Sequence, residues 1–468
     1  MVSNTRGDTT KGDFKSYNYP DRNLVINWTD NSRGDGAAIR DAEVNAKNLT
    51  INANFSGNEW TDKGVISDAA THIKASGDIN IATNNDSVYT EGKGTTTIEG
   101  FKNLNITSSI AGYGLVDNGG GITVSGGTGS SVTIKNSGLA WDAHPTVGNS
   151  LWTGRGSALG KGITVKADKI QIQSDNKSIF AGQGKGGEKF TVDLNAHAVD
   201  VTGTISGIGG DIFINSDTNG TVTLSSANKT ENGWSSGEQS IDLMSNDTSG
   251  SNLTINKNAR GLVQILGKIQ VGGEDSSVLA NMTGDGSFVN TRADGTNSSQ
   301  FWKDAIEAYS GGTVTLNMSG NNSYIRGDMN SGDDGNITVN ATGDNFTMSR
   351  SYTGDPIYEN SLLKVTSGAT ANILISGDNG KVDGNIRAVE KGNIQMDMSG
   401  ENMAFTGDVE AAWNPDDTRS TDDQASITAN FSGAHASMTG SIRAKTSTSN
   451  VMVNFSGENG NLTGDVES

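Results

Sequence analysis

The chain has 468 residues, 63 of them glycine, 4 proline and none cysteine, with a net charge of −19 and only 33 % hydrophobic residues. An acidic surface of that size disfavours nucleic acid and anionic membrane as partners, since both attract basic proteins, and no apolar run is long enough to cross a bilayer. The lack of cysteine excludes a disulfide framework and suits a protein that crosses a membrane unfolded, where a disulfide formed on the way would block threading.

The opening stretch, MVSNTRGDTTKGDF, has no apolar signal-peptide core, and both ends of the chain read as boundaries from which targeting segments were removed. Residues 1–48 read as a polar N-terminal segment and cap. From residue 49 onward, short strands with two inward apolar residues recur. They include Leu49/Ile51, Ile79/Ile81, Leu104/Ile106, Val132/Ile134, Ile170/Ile172, Val199/Val201, Val222/Leu224, Leu253/Ile255, Val314/Leu316 and Ile337/Val339. A period of two marks a half-buried strand. A second set lies between them, among it Ile122/Val124, Ile163/Val165, Val192/Leu194, Ile212/Ile214, Val263/Ile265 and Ile269/Val271. Gly, Asn and Asp fill the gaps, as corners with positive φ require. Asn and Thr at equivalent positions are placed to stack into hydrogen-bonded ladders.

Four stretches break this pattern and are expected to be insertions. They fall near 139–162, with Trp141, His144 and Trp152, near 228–239 around Trp234, near 297–310, and near 411–425, an acidic loop. The third, NSSQFWKDAIEAYS, predicts the chain's one helical patch, since Phe301, Ile306 and Tyr309 stand at near-helical spacing.

The last 150 or so residues repeat one sentence. Asn317–Met329 reads NMSGNNSYIRGDM, Leu374–Ile386 LISGDNGKVDGNI, Asp397–Val409 DMSGENMAFTGDV, Asn430–Ile442 NFSGAHASMTGSI and Asn454–Val466 NFSGENGNLTGDV. The Gly after Ser or Thr falls at 320, 343, 377, 400, 433 and 457. Two or three short strands in each unit of that length are the arithmetic of a parallel β-helix, an all-β solenoid that grows by stacking. Residues 49–468 are therefore read as one such domain with corner-loop insertions.

In composition, rung repeats and strings such as NFSGENGNLTGDV, the chain resembles the passenger domains of monomeric (type Va) autotransporters of Gram-negative bacteria, above all the self-associating and adhesive ones. The resemblance covers nearly the whole chain from about residue 49. It implies a right-handed parallel β-helix, exported through the periplasm and outer membrane and displayed outside the cell by a β-barrel that would follow Ser468. It also implies adhesion, aggregation and biofilm formation, in some members through polar contacts between neighbouring rods. Protease-type passengers carry a Gly-Asp-Ser-Gly string, which this chain lacks.

The chemistry-bearing residues point away from catalysis. The four histidines, His72, His144, His197 and His435, are dispersed. His435 takes the repeat slot held by Asn402 and Asn459, a surface position. Without cysteine and with scattered histidines no zinc site is expected, nor any cofactor. Asp333/Asp334 and Asp416/Asp417/Asp422/Asp423 offer hard oxygens for calcium, against the reading as solvated turns. Glycan-cleaving β-helices need carboxylates clustered on one face, whereas the acidic residues here fall in turns.

Arg-Gly-Asp occurs at Arg6–Asp8, Arg33–Asp35 and Arg326–Asp328. The second, Arg33, Gly34 and Asp35, lies in a polar loop and is the best placed for an integrin. The third, Arg326, Gly327 and Asp328, occupies the corner slot that Thr463–Asp465 and Thr406–Asp408 share.

The expected function is self-association between cells, the partner being another copy of the chain, without catalysis or direct membrane insertion. The alternative is a host-receptor, integrin or glycan adhesin acting through the corner loops, with Trp141, Trp152 and Trp302 as aromatic platforms.

Overall fold

A computed structural model describes residues 2–4, 15–30, 36–55, 63–108, 112–118, 120–136, 151–153, 162–183, 189–226, 239–245, 249–257, 261–291, 304–350, 361–412, 424–446 and 448–467. The described chain is all-β and built on parallel pairing. Sequence periodicity places residues 49–468 in one domain. By contacts the chain divides into two compact units, one of Met1–Ser240 and Asn246–Leu253 and one of Ile241–Ser245 and Thr254–Ser468.

In the first unit the apolar pairs read from the sequence stand in register as two columns. Leu49 pairs with Ile79, Ile79 with Leu104, Leu104 with Val132, Val132 with Ile170, Ile170 with Val199 and Val199 with Val222. Ile51, Ile81, Ile106, Ile134, Ile172, Val201 and Leu224 form the second column two residues further on. A second ladder stacks Ile122 on Ile163, Val192 and Ile212. A third stacks Ile39, Val65, Val88, Leu115, Leu151 and Ile179. The described inward residues of all three ladders are buried.

The second unit repeats the plan with shorter strands. Ser277–Met282, Thr313–Met318, Asn336–Ala341, Thr370–Ile375, Asn393–Met398, Ser426–Phe431 and Asn450–Phe455 form one parallel ladder. A second runs through Phe288–Asn290, Tyr324–Arg326 and Thr347–Ser349 to Asn461–Thr463. A third runs through Lys268–Gly272, Asp304–Tyr309, Asp328–Ser331 and Ser361–Val365 to Val466–Glu467. One strand of each ladder in succession makes one rung.

The repeat's Ser/Thr-Gly is explained by close approach. A Cβ at Gly343, Gly377, Gly400, Gly433 or Gly457 would run into the carbonyl oxygen of the corresponding glycine one rung before. The second glycine of the repeat needs both space and conformation: Gly327, Gly384, Gly407, Gly440 and Gly464 have φ between 134° and 151°, a region closed to side chains. The Asn between the two glycines also has positive φ, 57° at Asn402 and Asn459. His435, in the same slot at 58°, is exposed as its position implied. Rungs are further tied by turn carboxylates and amides. Asp344 N–H donates to Asn321 Oδ1 at 2.8 Å, Asp378 N–H to Asp344 Oδ1 at 2.9 Å, and Glu401 N–H to Asp378 Oδ1 at 2.9 Å.

Three expectations are corrected. Residues 1–48 are not merely a polar cap: Lys15–Asp30 is a strand paired with Ala42–Phe55, and Leu24, Ile26 and Trp28 are buried. The described part of the expected helical patch is not helix, and 297–303 lie outside the described residues. Asp304–Tyr309 is a strand, with Ile306 held in register between Ile269 and Met329. A register shift at Asp304/Ile306 turns both Ala305 and Ile306 inward. That shift breaks the period of two and imitates a helical spacing. The expected insertions are also narrower than read, since Leu151–Thr153 and Asp304–Tyr309 are ladder strands.

Candidate functional site

The outward face of the first ladder in the second unit carries a row of side-chain amides. Asn281 Nδ2 donates to the Asn256 carbonyl at 3.0 Å, Asn317 to Asn281 Oδ1 at 2.8 Å and Asn340 to Asn317 Oδ1 at 2.9 Å. Leu374, 38 % exposed, interrupts the row. It resumes where Asn430 Nδ2 donates to Asp397 Oδ1 at 2.6 Å and Asn454 Nδ2 to Asn430 Oδ1 at 2.8 Å. An amide carries two N–H donors and two acceptor lone pairs. The rung-to-rung bond at each end of Asn317 uses one donor and one lone pair. What remains of each amide points away from the core, at the rung spacing of about 4.8 Å.

The first unit has comparable pairs, Asn48 to Asn23 and Asn52 to Asn27, each at 2.8 Å, and Asn105 to Asn80 at 2.9 Å. Its buried carboxylates serve corners. Asp117 Oδ1 accepts from Thr90 Oγ1 at 2.6 Å and Gly121 N–H at 2.7 Å, and Oδ2 accepts from Gly162 N–H at 2.9 Å.

A charged row runs along the third ladder of the second unit. Arg387 donates from Nε at 3.0 Å and Nη2 at 2.7 Å to one oxygen of Glu410, and Arg443 Nη1 donates to the other at 3.0 Å. Arg443 Nη1 also reaches Asp408 at 2.7 Å and its Nε reaches Glu467 at 3.2 Å. Burial by itself would lower the Arg443 guanidinium, but its hydrogen bonds to Asp408 and Glu410 outweigh this and its pKa rises. Sequence periodicity misses this row. A signal for it exists all the same, since aligning the repeat copies puts Arg387, Glu410 and Arg443 in one register column.

Further along the same ladder, Asp304 and Asp328 are register partners on adjacent strands. Lys268 lies 3.7 Å from Asp304 and also pairs with Glu307. Asn330 Nδ2 donates to Asp304 at 2.8 Å, and Arg350 Nε donates to Asp328 at 3.2 Å. Burial pushes the Asp304 carboxyl up to about 6, against the opposing pull of Lys268. Asp304, Glu307 and Asp328 thus share a face on strands, not in turns as the sequence suggested. All three are engaged by cations or amides, as in a structural ion-pair network.

The third Arg-Gly-Asp copy lies here. Arg326 ends a strand and is exposed, Gly327 turns the corner, and Asp328 faces Arg350 with 6 % of its surface exposed. Arg33, Gly34, Asp35, Trp141 and Trp302 lie outside the described residues. Trp152 stands in a strand between Val116 and Phe180 in register. Asp333 and Asp334 sit in a turn with φ of 47° and 62°; Asp416, Asp417, Asp422 and Asp423 lie outside the described residues. Among the described residues no group of three or more His, Cys, Asp or Glu is placed to hold a metal ion.

No protein-family model matches the chain, and no curated protein or solved structure matches it either.

Proposed function

We propose that the chain is a right-handed parallel β-helix displayed on the surface of a Gram-negative bacterium, where it holds cells together by binding another copy of itself. The repeated return of each ladder to the same register supports the solenoid reading. The near-universal right-handedness of crossovers between parallel strands supports the hand. The resemblance to autotransporter passengers supports export and display.

The observation that carries the self-association reading is the amide row of the second unit, Asn281–Asn317–Asn340 and Asp397–Asn430–Asn454. Its unspent donors and acceptors repeat at one spacing, so a second copy with the same spacing can meet them in series. Each bond contributes only about 0.5–1.5 kcal/mol net, and many chains acting together turn that into firm attachment. This mechanism needs no catalytic residue and no cofactor.

Sedimentation velocity of the purified chain over a wide concentration range tests the contact. A concentration-dependent dimer, weakened when Asn340→Lys and Asn454→Lys are combined, supports the reading. A monomer at every concentration removes it.

A further inference from the structure

The first unit contains a depression that the self-association reading does not use. It has a volume of about 510 Å³ and lies where four successive rungs turn the corner from the second ladder to the first. Its shape follows from corner length. The corner between Ile122–Ser125 and Ser131–Asn136 takes five intervening residues, 126–130. The next, between Ile163–Lys166 and Lys169–Gly182, takes only Ala167 and Asp168. The third is continuous strand through His197. In the fourth the chain bulges again at 217–220, where the register with Thr191–Ile208 is broken. Two short corners between two longer ones make a saddle, with its outer rungs on the order of 14 Å apart at the strand spacing.

The floor is Ala167 and Ala196, with the half-buried Asn195 and Asn215 joined by a hydrogen bond of 3.2 Å in which Asn215 Nδ2 donates to Asn195 Oδ1. Exposed Lys166, Asp168, His197 and Asp217 stand above it. His197 Nδ1 lies 2.7 Å from Asp217 Oδ1. In the neutral ring this fixes the proton on Nδ1 and leaves Nε2 as the remaining hydrogen-bonding atom.

We infer that this saddle binds a neutral, linear oligosaccharide. A sugar hydroxyl both donates and accepts, and the saddle offers both in close succession: donors from Lys166 and Asn195, acceptors from Asp168 and Asp217. With the His197 ring neutral, Lys166 is the one cation beside two carboxylates, Asp168 and Asp217, so a sulfated or phosphorylated chain gains no net attraction. An added peptide strand is disfavoured because the corner backbone is spent. Ala167 N–H goes to Asn195 O at 3.2 Å, Asp168 N–H to Ser130 O at 3.1 Å, and His197 N–H to Asp168 O at 3.0 Å, leaving these donors closed to β-augmentation. With no aromatic platform among the described lining residues, affinity is modest, Kd about 0.1–1 mM.

The test is calorimetric titration of the whole chain with cellohexaose and N-acetylchitohexaose, beside a heparin hexasaccharide and a polar ten-residue peptide. Saturable binding of at least one neutral hexasaccharide is expected. His197→Ala and Lys166→Ala each weaken it about three- to tenfold. Gly127→Trp, which adds bulk at a rim position with open space around it, abolishes it. His435→Ala in the second unit leaves it unchanged. All substituted positions are exposed, and an unchanged unfolding midpoint separates lost binding from lost fold. The inference is overturned if neither neutral sugar binds up to about 10 mM, if only heparin or the peptide binds, or if binding survives all three saddle variants. The site lies in the first unit, so its loss leaves self-association through the second unit intact and the two readings fail separately.

Discussion

Arg387 gives two hydrogen bonds, at 3.0 and 2.7 Å, to one carboxylate oxygen of Glu410, while Arg443 of the next rung takes the other oxygen. Glu410 is 3 % exposed, so its charge is held out of water and compensated from both sides. Removing Glu410 takes away the carboxylate to which Arg387 donates twice, while Arg443 keeps Asp408 and Glu467. Glu410→Ala is expected to lower stability by about 3–5 kcal/mol, the range for breaking a buried ion pair. Glu410→Gln, which keeps the shape and part of the hydrogen bonding, costs less. Urea unfolding of the variants checks this; equal stability of Glu410→Ala and the parent would mean that the row is not closed as described.

The glycine column makes a contrast within one residue type. Gly377→Ala forces a methyl group against the Gly343 carbonyl, and backbone on both sides cannot yield cheaply. It is expected to cost about 1–3 kcal/mol, as overpacking does. Gly127→Ala, with nothing near its added Cβ, stays within about 0.5 kcal/mol. Paired thermal scans decide between a packing role and simple corner flexibility, since flexibility alone predicts similar effects at both sites.

Asp304 gives a pH dependence with a definite sign. Its carboxyl is raised from 3.8 to about 6 by burial, so between these values the folded chain holds a proton that the unfolded chain has released. Stability is then fully present below about pH 4 and falls as pH rises through 6. The span is at most about 3 kcal/mol. Asp304→Asn should flatten this part of the stability profile and stabilise the chain at pH 7. A variant with the parent's slope between pH 4 and 6 would place the titration elsewhere.

How much of this is legible in the sequence depends on whether each rung keeps its period. Leu49/Ile51 and Ile79/Ile81 alternate cleanly with polar neighbours, so their columns can be read from the amino-acid string alone. Leu24-Val25-Ile26 is an unbroken apolar run, which hides the alternation that buries Leu24, Ile26 and Trp28. The column of Ile39, Val65, Val88 and Leu115 escapes notice because its strands are short and carry few spaced apolar pairs. Asp304–Tyr309 reads wrongly as helix because helix-forming residues coincide with a bulge, and the demand of Ile269 and Met329 for an extended neighbour is invisible in the local string. Tertiary context overrides propensity there. The charged row and the saddle are harder still. Both are built from residues about 20 to 45 apart, and only the register brings them together.

The central claim is that one displayed chain recognises another through the amide face of the second unit. Its most direct test is cell settling. Two differently labelled populations of a Gram-negative host display the chain, are mixed, and their co-aggregation is counted by microscopy as the culture clears. Mixed clumps are expected when both populations carry the parent chain, with dispersal when Asn340→Lys and Asn454→Lys are combined in one of them. Cells that stay planktonic with the parent chain displayed, or that clump equally with the double variant, would contradict the account.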